Sequence, residues 1–175
     1  SNFLSNVLKK KYKISSNRQP KCDLAIINDK KTNVIFEVKT TKAPDMITSN
    51  NFNVKALHEV IWYLGNELIN NNNNDIKWLV VTDVSNWYFF DAQKIYKIFY
   101  KNNTFRNNII SYIKKNKTNN DTTSIYKCIR DYIDNNNYTL ECHYISMKQK
   151  LNDDEIEKLY KIFSADFLLN ETNNN

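Results

Sequence analysis

The stretch 23–39, Asp-Leu-Ala-Ile-Ile-Asn-Asp-Lys-Lys-Thr-Asn-Val-Ile-Phe-Glu-Val-Lys, constrains this chain more than any other. Two short apolar runs, 24–27 and 34–36, flank a polar, turn-forming segment, which is the pattern of a β-hairpin. Side chains alternate across a strand, so Glu37 and Lys39 share a face with Ile35, while Val34, Phe36 and Val38 point the other way into a core. An otherwise buried strand thus ends in a carboxylate and an ammonium, and Asp23 stands at the start of its expected partner. Carboxylates gathered at a strand end can hold Mg²⁺ through oxygen ligands. An adjacent lysine can hold an attacking water or steady the charge on a phosphate. The same residues also describe a half-exposed strand ending in a surface Glu and Lys, because an acid followed at a distance by Glu-x-Lys is common by chance.

The rest of the chain supplies a frame for this hairpin. Phe3, Leu4, Val7 and Leu8 recur at helical spacing before Lys9-Lys10-Lys11, the tail of an amphipathic helix that starts at once, as if cut from something longer. A loop over 15–21 carries Arg18 and Pro20, and after Lys39 the connection is kept from being helical by Pro44. Residues 54–69 make the strongest helix, with Leu57, Val60, Ile61, Leu64 and Leu68 in one stripe. Glu59 and Tyr63 lie together at its margin, and Lys55 sits one turn before Glu59. The Asn run 70–74 reads as a solvated linker.

Residues 76–82 predict a buried strand, 83–86 a turn and 87–90 a second strand, after which Asp91 caps a helix with Ile95, Ile98 and Phe99 facing inward. Helical patterns recur at 109–113 and 125–133 around the polar stretch 114–123. A strand over 138–147 and a helix from Asn152 or Asp153 through Ile156, Leu159, Tyr160 and Phe163 follow. This order predicts one α/β domain over 1–169, a mixed sheet flanked by helices, with a frayed Asn-rich tail over 170–175.

Composition mostly excludes. A single Gly, two Pro and about one Asn in every six residues look like the coding bias of an AT-rich genome, so lone Asn and Lys residues carry little functional information. The formal net charge of +6 favours polyanionic partners, although Lys-rich coding yields the same number. Cys22, Cys128 and Cys142 are widely spaced and odd in number, which supports neither a zinc site nor a disulfide framework and fits a reducing, cytoplasmic setting. No apolar stretch approaches the roughly 18 residues that span a membrane. His58 reads as a helix-edge residue and the aromatic run 87–90 as core.

The hairpin, the Asp…Glu-x-Lys pattern and the following helix resemble the PD-(D/E)XK nuclease superfamily. Asp23-Leu24-Ala25-Ile26-Ile27, Val34-Ile35-Phe36-Glu37-Val38-Lys39, Lys55-Ala56-Leu57-His58-Glu59, Trp87-Tyr88-Phe89-Phe90-Asp91-Ala92 and Leu159-Tyr160-Lys161-Ile162-Phe163 together resemble the amino-terminal nuclease module of type IIG restriction-modification enzymes. The likeness runs from near residue 3 to about residue 169. It implies a restriction-endonuclease-like core and a metal-dependent DNA endonuclease. Asp23, Glu37 and the Val38 carbonyl would be ligands of Mg²⁺ (or Mn²⁺), Lys39 the catalytic lysine, and Glu59 and Tyr63 a border of the site. It implies double-stranded DNA as substrate and, in a longer parent chain, methyltransferase and target-recognition domains.

Two departures stand beside it. Many relatives carry a glutamate on the first helix, yet no Glu precedes Glu37 here, and no S-adenosylmethionine motif is present. The alternative is a nuclease fold that has lost catalysis and serves as a DNA- or partner-docking module, or an α/β interaction domain whose basic charge is only coding bias.

Overall fold

The computed structural model describes the backbone of 13–15, residues 22–115 and 122–147, and Asp153, Asp154, Ile156 and Glu157. The sequence expectations for a helix at 3–8, for the loop over 15–21 beyond Ser15 and for a tail at 170–175 lie outside these residues. Of the expected C-terminal helix, the four described residues are helical.

A six-stranded sheet is laid out in simple chain order, β1 (Lys13–Ser15), β2 (Leu24–Asn28), β3 (Lys31–Val38), β4 (Trp78–Thr82), β5 (Asn86–Asp91) and β6 (His143–Ser146). Neighbours are antiparallel except β3 and β4, which run parallel. A parallel pair needs a long crossover, and here helix α1 (Lys55–Asn70) supplies it. Helices α2 (Ala92–Ile98), α3 (Asn103–Lys115) and α4 (Thr123–Asn136) complete the α/β arrangement expected from the pattern.

The hairpin is longer than its apolar runs. Asp29 and Lys30 both adopt positive φ, 48° and 67°, the geometry of a tight two-residue turn whose twist matches the strands. That leaves Thr32 and Asn33 inside β3, both buried. The expected alternation holds: Ile35 belongs to the cluster packed against α1, while Val34 and Phe36 join Trp78, Val80, Trp87 and Phe89 on the opposite face. Both faces are therefore apolar, as a central strand requires. The aromatic run Trp87–Phe90 is core, each member buried.

Helix α1 departs from a simple stripe. It packs on β3, β4 and α4, and every residue from Ala56 through Glu67 is buried. Gly65 explains one close contact: a methyl there would collide with the Tyr100 hydroxyl, which donates to the Ile61 carbonyl at 2.6 Å. His58 is not at an edge either but only 4% exposed; its Nε2 donates to Asn53 Oδ1 at 2.7 Å, and Asn53 in turn holds Asp134 on α4. Burial, with the nearby Arg130 charge, lowers His58 to about 4, so it stays neutral.

Three further expectations are corrected. The Asn run is solvated at Asn70, Asn71, Asn72 and Asn74, but Asn73 is buried and bonds Glu67 Oε2 and the Thr32 carbonyl. The strand expected over 138–147 is only His143–Ser146. Ser15, expected to open a loop, instead belongs to the edge strand Lys13–Ser15, which pairs with β2. By contrast Asp91 caps α2 as expected, accepting from the backbone of Gln93 and Lys94.

Candidate active site

Glu37 and Lys39 lie at the carboxyl end of β3, beside the parallel strand β4, where ligands of open α/β sheets characteristically gather. Lys39 N–H donates to the Thr82 carbonyl at 2.8 Å, which keeps the chain extended one residue past the strand. Asp23 stands one step beyond the Leu24/Phe36 pair, across from Glu37. Its Oδ2 accepts from the Val38 N–H at 2.7 Å, so a side chain extends the ladder just before β2 begins. A strand residue's N–H and C=O point to the same side, so the Val38 carbonyl turns toward Asp23 as well.

The Lys39 ammonium is the centre of the cluster. It donates to Glu59 Oε2 at 2.5 Å and pairs with Glu37 Oε1 at 2.8 Å and Asp45 Oδ2 at 3.3 Å. Lys55, one turn before Glu59, lies 3.7 Å from its other oxygen. The carboxylates of Asp23, Glu37, Asp45 and Glu59 thus outnumber the two lysines. Burial works against the charge of Lys39, but the hydrogen bonds it donates to Glu37 and Glu59 outweigh this and hold the ammonium above the usual lysine range.

Glu37 is only 5% exposed. Burial pushes it up to about 8; the Lys39 hydrogen bond opposes this, and the charges of Glu59 and Asp23 reinforce it. Its Oε2 is buried without any hydrogen-bond partner. A buried carboxylate oxygen left open costs on the order of 1–3 kcal/mol, so something outside the chain is invited there. A divalent cation suits the donor set of Glu37, the exposed Asp23 and the Val38 carbonyl, all hard oxygens. Among the described residues no three His, Cys, Asp or Glu side chains converge closely enough to enclose an ion, so the carbonyl and water would complete such a shell.

The residues singled out from sequence fall in one neighbourhood. Glu59 is no surface acid beside Lys55 but a buried partner of Lys39, 7% exposed. Tyr63 is buried one turn on; burial, and then the Glu37 charge, keep its hydroxyl protonated above the usual tyrosine range. Two members were missed. Asp45 comes from the irregular connection after Pro44, where no periodicity announces a role; its carbonyl also accepts from Ala56 N–H at 3.2 Å, fastening the connection to α1. Tyr126 on α4 is raised first by burial and then by the charges of Glu59 and Glu37, and its ring lies 5.9 Å from Lys55 Nζ. Its only sequence signal was a place on a helix distant in the chain.

Fold and site define a mixed α/β domain with an acid–lysine cluster at the end of its crossover strand. The chain belongs to the family described as a domain of unknown function (DUF7149), whose model matches residues 1–175. No curated protein and no solved structure matches it.

Proposed function

We propose that this domain is a metal-dependent endonuclease that hydrolyses DNA phosphodiesters. One observation carries the reading: Glu37 Oε2 is buried and unpartnered in a cluster where carboxylates outnumber lysines. Asp23, Glu37 and the Val38 carbonyl would hold Mg²⁺, or Mn²⁺ in its place. The bound ion would supply Lewis-acid polarisation of the phosphate and an activated water. Lys39 would turn a donor toward the phosphate, while Glu59 and Asp45 keep the ammonium placed. Water adds to phosphorus as the bond to the 3′ oxygen breaks, leaving a 5′-phosphate, as the superfamily resemblance implies. Double-stranded DNA is the proposed substrate, in the cytoplasm, with methyltransferase and target-recognition domains supplied by a longer parent chain.

The docking-module reading has its own observation: Lys39 already fills the centre of Glu37, Asp45 and Glu59, so the site is neutralised in part without an ion. Calorimetric titration of Mg²⁺ and Mn²⁺ into the chain and into Glu37→Ala, alongside plasmid nicking, separates the two. Saturable binding lost in the variant, together with nicking that needs the metal, supports the nuclease. Salt-sensitive DNA binding with no metal uptake and no nicking overturns it in favour of docking.

A further inference from the structure

The sheet register carries the candidate site across to an exposed aromatic ring. Glu37 pairs with Val81, Val81 with Tyr88, and Tyr88 with Tyr144 on the edge strand β6. Directly paired residues share a face, so the Glu37 carboxylate and the Tyr144 ring stand on the same side of the sheet. Three inter-strand spacings separate them, about 14 Å. Tyr144 is 52% exposed, the most open large apolar side chain among the described residues.

The ring is fixed before anything binds. One of its faces leans on Tyr88, centroids 4.8 Å apart at 34°, and Phe52 braces Tyr88 edge-on at 5.9 Å. The Tyr144 hydroxyl donates to Asn86 Oδ1 at 2.9 Å. Asn86 Nδ2 is in turn held by both oxygens of Asp83, at 3.1 and 3.0 Å. A ring pinned at both its flank and its tip loses little further freedom on stacking, which removes part of the usual ordering cost. If Tyr144 served only to shelter Tyr88, an aliphatic strand residue would do so without presenting an open π-face.

We propose that Tyr144 is a stacking platform for an unpaired base of the strand whose phosphate lies at Glu37 and Lys39. This rests on the nuclease reading and sharpens it. The favoured substrate is double-stranded DNA whose strands are opened a few nucleotides from the scissile bond. Stacking is tolerant of sequence because every base has a π-face, so the platform selects strand state and not a base code.

The test compares Tyr144→Ala and Tyr144→Phe by fluorescence anisotropy. The probes are a labelled single-stranded DNA oligonucleotide and its duplex, with EDTA present so that binding is read without chemistry; melting temperatures check the fold. Loss of the ring should weaken single-strand binding about fivefold to a hundredfold, the range of one base stacked on an aromatic side chain. Tyr144→Phe should retain it within about twofold, and duplex binding should change little in either variant. An unchanged Tyr144→Ala, equal losses in Ala and Phe, or equal losses on single strand and duplex each overturn the platform. Should the platform hold while metal titration is silent, only the nuclease reading falls; if the unaltered chain binds neither DNA, the platform falls with it.

Discussion

Glu67 on helix α1 and Glu37 on strand β3 are both buried glutamates that look alike in the sequence and behave differently in the fold. Glu67 is 4% exposed and Glu37 5%. At Glu67 both oxygens are met by amides: Oε1 accepts from Asn71 Nδ2 at 2.8 Å and Oε2 from Asn73 Nδ2 at 2.7 Å. Asn73 also gives its N–H to the Glu67 carbonyl and its amide to the Thr32 carbonyl, each at 2.9 Å, so Glu67 ties the asparagine run down onto the hairpin. At Glu37 one oxygen meets Lys39, the other meets nothing, and the charges of two further acids, Glu59 and Asp23, press in. Burial of a carboxylate does not mark a site. What marks it is the hydrogen-bonding capacity that the chain leaves open.

The largest effect should separate the two glutamates outright. Glu37→Ala should weaken Mg²⁺ binding about a hundredfold or more, since it removes a ligand and not a supporting group, while Glu67→Ala leaves it unchanged. On stability the order should invert: Glu67→Ala costs about 1–3 kcal/mol by leaving the buried Asn73 amide short of a partner, and Glu37→Gln costs little or stabilises. Chemical denaturation of both variants without metal checks this, and equal losses would erase the distinction.

Lys39 comes next. On sequence alone, Lys39→Ala would leave the fold nearly intact, as a long side chain at a strand end. Its place among Glu37, Asp45 and Glu59 changes that expectation. Removing the cation strands buried carboxylates and should cost on the order of 3 kcal/mol without metal, with partial recovery in Mg²⁺. Any metal-dependent cleavage should fall about 10²- to 10⁴-fold. A variant as stable as the unaltered chain would mean that the acids find water on their own.

A pH series probes Glu37 by itself. Its folded value, about 8, lies above its ordinary 4.5, so the native state holds a proton that the unfolded chain has released. That contribution is fully present below pH 4.5 and is lost as pH rises through 8. Without metal, melting temperature should therefore decline over this window, and Glu37→Gln should flatten the decline. Because a ligand must be deprotonated, Mg²⁺ affinity should rise across the same window, up to about tenfold per unit. A flat profile in the unaltered chain would place Glu37 in an ordinary ion pair.

The smallest effect belongs to Lys55. It is half exposed and reaches Glu59 only at 3.7 Å. Lys55→Ala should change stability by less than about 1 kcal/mol, as surface pairs usually do, and thermal melting resolves whether it does. A larger loss would make Lys55 a full member of the cluster.

The sequence by itself determined the alternation of β3, and with it the placing of Glu37 and Lys39 on the face of Ile35. It determined the mixed α/β order as well, because period and turn chemistry are local properties of consecutive residues. It also marked Asp91 as a cap, for the same reason. Only the tertiary structure decided which acids meet. Asp45 lies six residues past Lys39 in an aperiodic connection, and Tyr126 lies on a helix far along the chain; nothing local couples either to β3. The Asn run shows the limit most plainly. Low complexity reads as solvated when the partner is unknown, yet Glu67 and Thr32 take Asn73 into the interior. Whether a polar side chain is buried depends on distant groups that can satisfy it, and only the folded chain brings those groups within reach.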